Sequence, residues 1–151
     1  MKYFSIKKYG HDIGLSCAFR QPNADSHCKY IHGYSLSFNF VFTCFHLDEN
    51  NWVVDFGSLK SLKNWLQETF DHKLIIDKND PQLHDFELLE SSNLCQLVLM
   101  DGVGCEAFAK HAFKFTNSYI KQKTNNRCWL YSCEVKEHGA NGAIVKGENN
   151  D

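Results

Sequence analysis

Residues 32–44 read HGYSLSFNFVFTC. His32, Tyr34, Leu36, Phe38, Phe40, Phe42 and Cys44 alternate with Gly33, Ser35, Ser37, Asn39, Val41 and Thr43, the period of two that a strand with one apolar face requires. A face carrying three phenylalanines has to be covered by another layer, so the stretch predicts a sheet with something packed on it. His32 and Tyr34 then point to that same apolar side.

Working upstream, His11, Ile13, Leu15, Cys17 and Phe19 show the same alternation and predict a strand over 11–19. RQPNADSHCKYI, residues 20–31, is a loop by its Pro, Asn, Asp and Ser content, and it carries His27 and Cys28. Downstream, NWVVDF (51–56) predicts a short strand. Leu59, Leu62, Trp65, Leu66 and Phe70 then recur at helical spacing, with Ser58 as N-cap and Asp71 and His72 at the far end. The segment 78–103 reads as mostly irregular, with LCQLVLM (94–100) a candidate extra strand. A second helix is expected from Glu106 to Gln122, with Phe108, His111, Ala112, Phe115 and Tyr119 on its apolar stripe. A last strand places Arg127, Trp129, Tyr131, Cys133, Val135 and Glu137 on its apolar face and breaks at HGANG (138–142). These elements predict an α+β domain over 1–151, an antiparallel four-stranded sheet with two helices on one face.

Composition narrows the function. Sixteen Lys and Arg against eighteen Asp and Glu give a formal charge of -2, with no basic block beyond Lys7 and Lys8, so a nucleic-acid partner is not expected. The apolar stretches fall far short of the roughly 20 residues of a membrane span, and MKYFSIKKYG has no apolar signal core. A cytoplasmic protein is expected. Seven cysteines without a CxxC pair fit reduced thiols rather than a disulfide scaffold.

Four positions stand out chemically. Glu137 continues an apolar strand face, where a carboxylate needs donors. The two adjacent N–H groups on the edge of a 2-amino-4-oxo-pyrimidine match its two oxygens, and a strand-end Glu facing water or a lysine is the plain structural alternative. Asp71-His72 suits proton transfer, a carboxylate orienting an imidazole, or is simply a histidine at a helix end. Cys28, on a polar loop beside His27, is placed like a reactive thiol, or has no role. His32 on an apolar face is a ligand or a satisfied core histidine. Cys44, Cys95, Cys105, Cys128 and Cys133 read as packing residues.

Taken in order, CAFRQ, HCKYIHGYSLSF, NWVVDFGSLK, FDHKL, a Cys-Glu start to the second helix and VKEHGA resemble the 6-pyruvoyl-tetrahydropterin synthase / 6-carboxytetrahydropterin synthase (QueD-like) family over about residues 13–145. The resemblance implies the tunnelling fold and a homo-oligomer, a hexamer of two trimers, with sites between chains. It implies Cys28 as the catalytic cysteine, Asp71 and His72 as the pair working with it, Glu137 as the pterin anchor, Glu106 as a second substrate contact and His32 as a zinc ligand. The implied reaction is a lyase step on 7,8-dihydroneopterin triphosphate giving 6-carboxytetrahydropterin, a precursor of queuosine. The pyruvoyl-forming synthase, another pterin lyase with altered or absent metal, and a non-catalytic pterin- or guanine-nucleotide-binding protein are the alternatives. The chain departs from the family pattern at Phe19 and Tyr34, where the family has its other two ligand histidines. Cofactor Zn2+ would need substitutes: Cys17, about 6.6 Å from Phe19 along the strand, a Tyr34 phenolate, or His27 swinging in from the loop.

Overall fold

A computed structural model describes residues 1–148. Its centre is the predicted long strand, β3 (His32–Cys44), whose even-numbered side chains face the core, with Leu36, Phe38, Phe40, Phe42 and Cys44 fully buried. On one side β3 pairs antiparallel with β6 (Cys128–His138). On the other it pairs first with β2 (Leu15–Phe19) and further along with β1 (Tyr3–Tyr9). The predicted strand over 11–19 is therefore shorter at its start. His11–Ile13 is a 3-10 turn closed by Gly14 at φ 82°, and it separates β2 from β1, a strand the sequence pattern does not announce.

The sheet is larger than the expected four antiparallel strands. Among the described residues seven strands form it, in the order β5-β4-β2-β3-β6-β7 with β1 beside β3. β4 (Lys73–Asp77) runs parallel to β2, and β5 (Gln96–Met100) parallel to β4. The connection between β4 and β5 is α2 (Leu83–Ser91), because parallel neighbours need a crossover rather than a tight turn. The candidate strand within 94–100 is present as β5. HGANG does not end the sheet. It forms a tight turn after which β7 (Asn141–Lys146) pairs back on β6, with His138 opposite Asn141.

Two helices cover one face as predicted. α1 (Lys60–Phe70) buries Leu62, Leu66 and Phe70, each four residues apart. α3 (Cys105–Lys123) buries Phe108, Ala109, Ala112, Thr116 and Ile120. Phe70 packs 4.9 Å from Phe38 and 5.5 Å from Phe108, ring centre to ring centre, so both helices meet on the phenylalanine row of β3. His111, Phe115 and Tyr119 sit on the flank of α3, where Trp65 stacks on Phe115 at 3.9 Å. A third helix, α2, covers the opposite face. Phe86 packs there with Leu74 and Ile76, while Ile75 between them joins the main core.

Three local readings are corrected. NWVVDF is not a strand: Val53 and Val54 are buried, but their backbone is held by side chains. Arg127 donates to the carbonyls of His46, Trp52 and Val53, and the Asp48 carboxylate accepts from the N–H groups of Asn50 and Trp52. Ser58 does not cap α1. It lies in a 3-10 turn, Phe56–Ser58, capped by Asp55, and its hydroxyl donates to the Asp55 carbonyl. On β6 the alternation changes phase at Tyr131, where a bulge leaves Val41 opposite Ser132 and Phe42 opposite Leu130. Cys128 and Leu130 are the buried apolar residues before the bulge, and Cys133 and Val135 after it. Among the described residues no helix is long and apolar enough to cross a membrane.

The loop 20–31 is fixed from its base. Arg20 donates through Nε and Nη2 to the two oxygens of Asp80, both at 2.8 Å, and through Nη1 to the Lys29 carbonyl. The Asp80 side chain is fully buried, and the Arg20 hydrogen bond holds its carboxyl below the usual carboxylate range. Removing one partner of such a pair leaves the other charge uncompensated. Asp80→Ala is expected to cost about 3 kcal/mol, a fall of roughly 6–12 °C in melting temperature for a chain of this size. A depressed carboxylate contributes stability that is present above its unfolded value and is lost as pH falls through the folded one. The gap between wild type and variant, measured by thermal denaturation, should thus be full at neutral pH and close below about pH 4.

Candidate active site

Strand register brings the odd residues of β2 against the even ones of β3. Cys17 is directly opposite Tyr34, and Phe19 opposite His32, so the four side chains share one face of the sheet. Gly33 between the two site residues of β3 is a close-approach position. A Cβ there would lie 2.6 Å from the Cys17 carbonyl oxygen, so a larger residue would push β2 and β3 apart.

Phe19, His32 and Tyr34 line a cleft of about 210 Å³ together with Gln21, Cys28, Gly104, Cys105, Glu106, Glu137, Asn141 and Gly142. They come from β2, β3, β6, β7, the 20–31 loop and the start of α3. Glu137 extends the core side of β6 after the bulge, its side chain about 20% exposed, and its Oε1 accepts from Asn141 Nδ2 at 3.1 Å. Glu106 sits in the first turn of α3. Cys28 is in the 3-10 turn His27–Lys29, where its N–H donates to Ser26 Oγ and its carbonyl accepts from the Gln21 N–H. Gln21 also donates through Nε2 to the Val103 carbonyl at 2.8 Å, which ties the cysteine loop to the start of α3. Gly104, at φ 100°, makes room for that contact, since a Cβ would come within 2.7 Å of Gln21 Nε2.

The pocket is anionic and aromatic. Its charged side chains are Glu106 and Glu137, and it has no lysine or arginine in its lining. Burial, then Glu137, Cys28 and Cys105, hold the Tyr34 phenol above its ordinary range, so this residue is a neutral hydroxyl rather than a phenolate. Burial also pushes the Cys105 thiol up to about 11, with Glu137 adding to it. Cys105 was expected only to pack, and it does so at the pocket wall.

Other predicted site residues lie elsewhere. Asp71 and His72 pair with each other: His72 takes a left-handed φ of 59°, and its Nδ1 lies 2.7 Å from the Asp71 carboxylate. The imidazole is 87% exposed and borders a wide cleft of about 600 Å³ whose lining includes Ser16, Cys17, Ala18, Gly33, Tyr34 and Ser35. Ser16, Ala18, Gly33 and Ser35 alternate with Phe19 and His32, which line the smaller cleft, so the wide cleft opens mainly on the other face of the sheet, with Cys17 and Tyr34 bordering it as well. Within one chain, neither Asp71 nor His72 lines the cleft that holds Cys28. His27 is exposed on the loop and is absent from the pocket lining. Cys17 is 5% exposed, its thiol pushed up to about 12 by burial and then by Cys105, and it too lies outside the lining.

The zinc expectation can be tested against these donors. Of the three family ligand positions only His32 offers one. Its Nδ1 is 2.7 Å from the Tyr30 carbonyl, to which it donates, leaving Nε2 as the free nitrogen. Among the described residues no group of three or more His, Cys, Asp or Glu is placed to hold a metal ion. The donor set does not fit a catalytic zinc, which takes three protein ligands.

Sequence reasoning missed Gln21, Gly104 and Asn141. Asn141 lies in HGANG, whose turn residues suggested a chain break rather than a return strand.

The family model for 6-pyruvoyl tetrahydropterin synthase matches residues 11–148. Among curated proteins, the 6-carboxy-5,6,7,8-tetrahydropterin synthase of Rickettsia bellii (strain RML369-C) is 39% identical over 57 residues, 37% of this chain and 41% of that protein. Its counterpart in Rickettsia conorii is 33% identical over the same shares. The match thus spans less than half the length of these relatives. Among solved structures, an uncharacterised protein of Wolinella succinogenes superposes with a TM-score of 0.81 at 19% identity, over 98% of this chain and 99% of that one. The 6-pyruvoyl tetrahydropterin synthase of Plasmodium vivax superposes with a TM-score of 0.68 at 12% identity, over 96% and 97%. Both neighbours share the fold. With the family model spanning nearly all of the described residues, the chain belongs to the 6-pyruvoyl tetrahydropterin synthase family.

Proposed function

We propose that the chain is a lyase acting on a dihydropterin triphosphate, with 7,8-dihydroneopterin triphosphate as substrate and 6-carboxytetrahydropterin as product, a step towards 7-deazaguanine compounds such as queuosine. The observation that carries this reading is the convergence of Cys28, Glu106 and Glu137 with His32 on one small cleft. Glu137 would accept the amino and ring N–H groups of the pterin edge, a two-point match that a carboxylate makes well. At about 210 Å³ the cleft is smaller than the roughly 300–1,000 Å³ of a typical ligand pocket. It suits a bicyclic ring, and its two carboxylates disfavour the triphosphate, which would extend outside.

In a 7,8-dihydropterin the ring's carbon–nitrogen double bond adjoins the side-chain carbon that must lose a proton. The Cys28 thiolate would take that proton, the electron pair would move into the ring, and the ring nitrogen would be protonated in turn. The ring is the electron sink, and the protein supplies base and acid. Asp71 and His72, on the far face of their own chain, would supply the proton relay from a neighbouring copy. This favours a homo-oligomer, which we propose to be a hexamer of two trimers in the cytoplasm.

Incubation with 7,8-dihydroneopterin triphosphate and analysis by mass spectrometry tests the reading. Release of triphosphate with acetaldehyde is expected. Triphosphate without acetaldehyde would move the assignment to the pyruvoyl-forming reaction, and unaltered bound substrate would make the chain a pterin-binding protein.

A further inference from the structure

We infer that this chain's site works without a bound divalent metal, because Phe19, His32 and Tyr34 close the would-be metal position with an aromatic wall that meets the ligand through hydrogen bonds. The inference takes the identity of the ligand from the pterin reading, while the metal content is independent of it.

The register places Phe19 directly opposite His32 on the site face of the sheet. The Phe19 ring centre is 4.9 Å from that of His32, 6.1 Å from Tyr34 and 5.1 Å from Phe108 of α3. Its exposure is 2%. A side chain packed on three sides by rings cannot step aside without opening a void in the core, which a close-packed interior resists. Zinc in a catalytic site needs donors at about 2.0–2.3 Å, and the ring carbons of Phe19 occupy the ground from which a second donor would have to come.

Nothing nearby restores the set. Cys17 shares the sheet face, but its side chain is buried outside the pocket lining. His27 sits on the exposed side of the loop. Across the pocket, Glu106 and Glu137 line the wall that is formed by α3 and β6, and among the described residues no three carboxylates, thiols or imidazoles are placed to hold one metal ion.

What remains on this wall is polar. His32 keeps its Nε2, since Nδ1 donates to the Tyr30 carbonyl, and the Tyr34 ring stands edge-on to it with centres 5.5 Å apart. An imidazole nitrogen and a phenolic hydroxyl can accept from and donate to a ligand's side-chain hydroxyl groups. They can orient such a ligand. A Lewis acid would do more by polarising its oxygens, so the burden of acidifying the carbon–hydrogen bond falls on the ligand's own ring.

Elemental mass spectrometry on protein purified from zinc-supplemented cells without chelator decides the matter. Wild type should hold less than about 0.1 zinc per chain, and the double variant Phe19→His/Tyr34→His, which rebuilds a three-nitrogen set, about one. Adding His32→Ala to the double variant should remove that zinc. Wild type holding about one zinc per chain, lost on His32→Ala, would overturn the inference. So would a folded double variant, with its far-ultraviolet circular dichroism intact, that binds none. If the double variant does not fold, wild-type stoichiometry and the effect of His32→Ala on it still decide. Ligand affinity supplies an independent reading: 7,8-dihydroneopterin binding, followed by fluorescence, should be the same before and after dialysis against EDTA, and a loss of ten-fold or more would contradict a metal-free site. Absence of any pterin binding would instead overturn the pterin reading and leave the zinc result standing.

Discussion

Cys28→Ala should abolish turnover of 7,8-dihydroneopterin triphosphate, lowering kcat by about 10²–10⁴-fold, the usual contribution of a general base, while ligand affinity stays within about two-fold because the thiol removes a proton rather than holding the ring. The fold should be indifferent. Cys28 sits in a surface 3-10 turn whose backbone is held by Ser26, Gln21 and Arg20, none of which needs its sulfur. A single-turnover assay with a parallel binding titration separates the two effects. His72→Ala should be equally inactive, since the imidazole is 87% exposed and contributes no core packing whose loss could explain a defect. Because Asp71 and His72 lie on the other face of the sheet from Cys28, the two defects are carried by different surfaces of the chain. Mixing the two inactive proteins under conditions that exchange subunits should therefore return part of the activity. If Cys28→Ala turns over substrate normally, the thiol is not the base, and if the mixture stays inactive, the site is not shared between copies.

Much of this arrangement is written in short-range pattern. The alternation over 32–44 aimed His32 and Tyr34 at the core side, the same reading of β2 aimed Cys17 and Phe19 there, and the register joins them into one patch. Glu137 was marked by continuing an apolar face, and the structure places it in the pocket lining. Other features depend on contacts that no local pattern carries. NWVVDF has the composition of a strand, yet Arg127, more than seventy residues away, takes up its carbonyls, so tertiary contacts override propensity. β4 is five residues long, and so short an apolar run placed directly after α1 cannot be distinguished from the end of a helix by periodicity. The bulge at Tyr131 shifts the phase of β6 midway, and a strict count of odd positions therefore assigns Trp129 and Tyr131 to the wrong face. His27 looked like a spare ligand because it adjoins Cys28, but in a turn adjacent side chains diverge, and only the cysteine turns inward.

Glu137→Gln is the second large effect. A carboxylate presents two acceptors to the two adjacent N–H groups of an aminopyrimidine edge, whereas an amide presents one acceptor and one donor, so one ligand N–H would face another N–H. Losing a charge-assisted hydrogen bond and leaving its partner unpaired costs about 3 kcal/mol, or on the order of 100-fold in affinity. The contact with Asn141 can persist through the retained carbonyl oxygen, and the side chain is near the surface, so the melting temperature should move by no more than about 2 °C. Turnover would fall chiefly through KM, in contrast with Cys28→Ala, where the loss is in kcat. Whether this pocket holds a pterin by that edge is settled most directly by titrating 7,8-dihydroneopterin into wild-type and Glu137→Gln protein and following ligand fluorescence. Saturable binding to wild type, weakened on the order of 100-fold in the variant with the fold intact, is the predicted result. Equal affinity in the two proteins, or no binding to wild type at all, would contradict it.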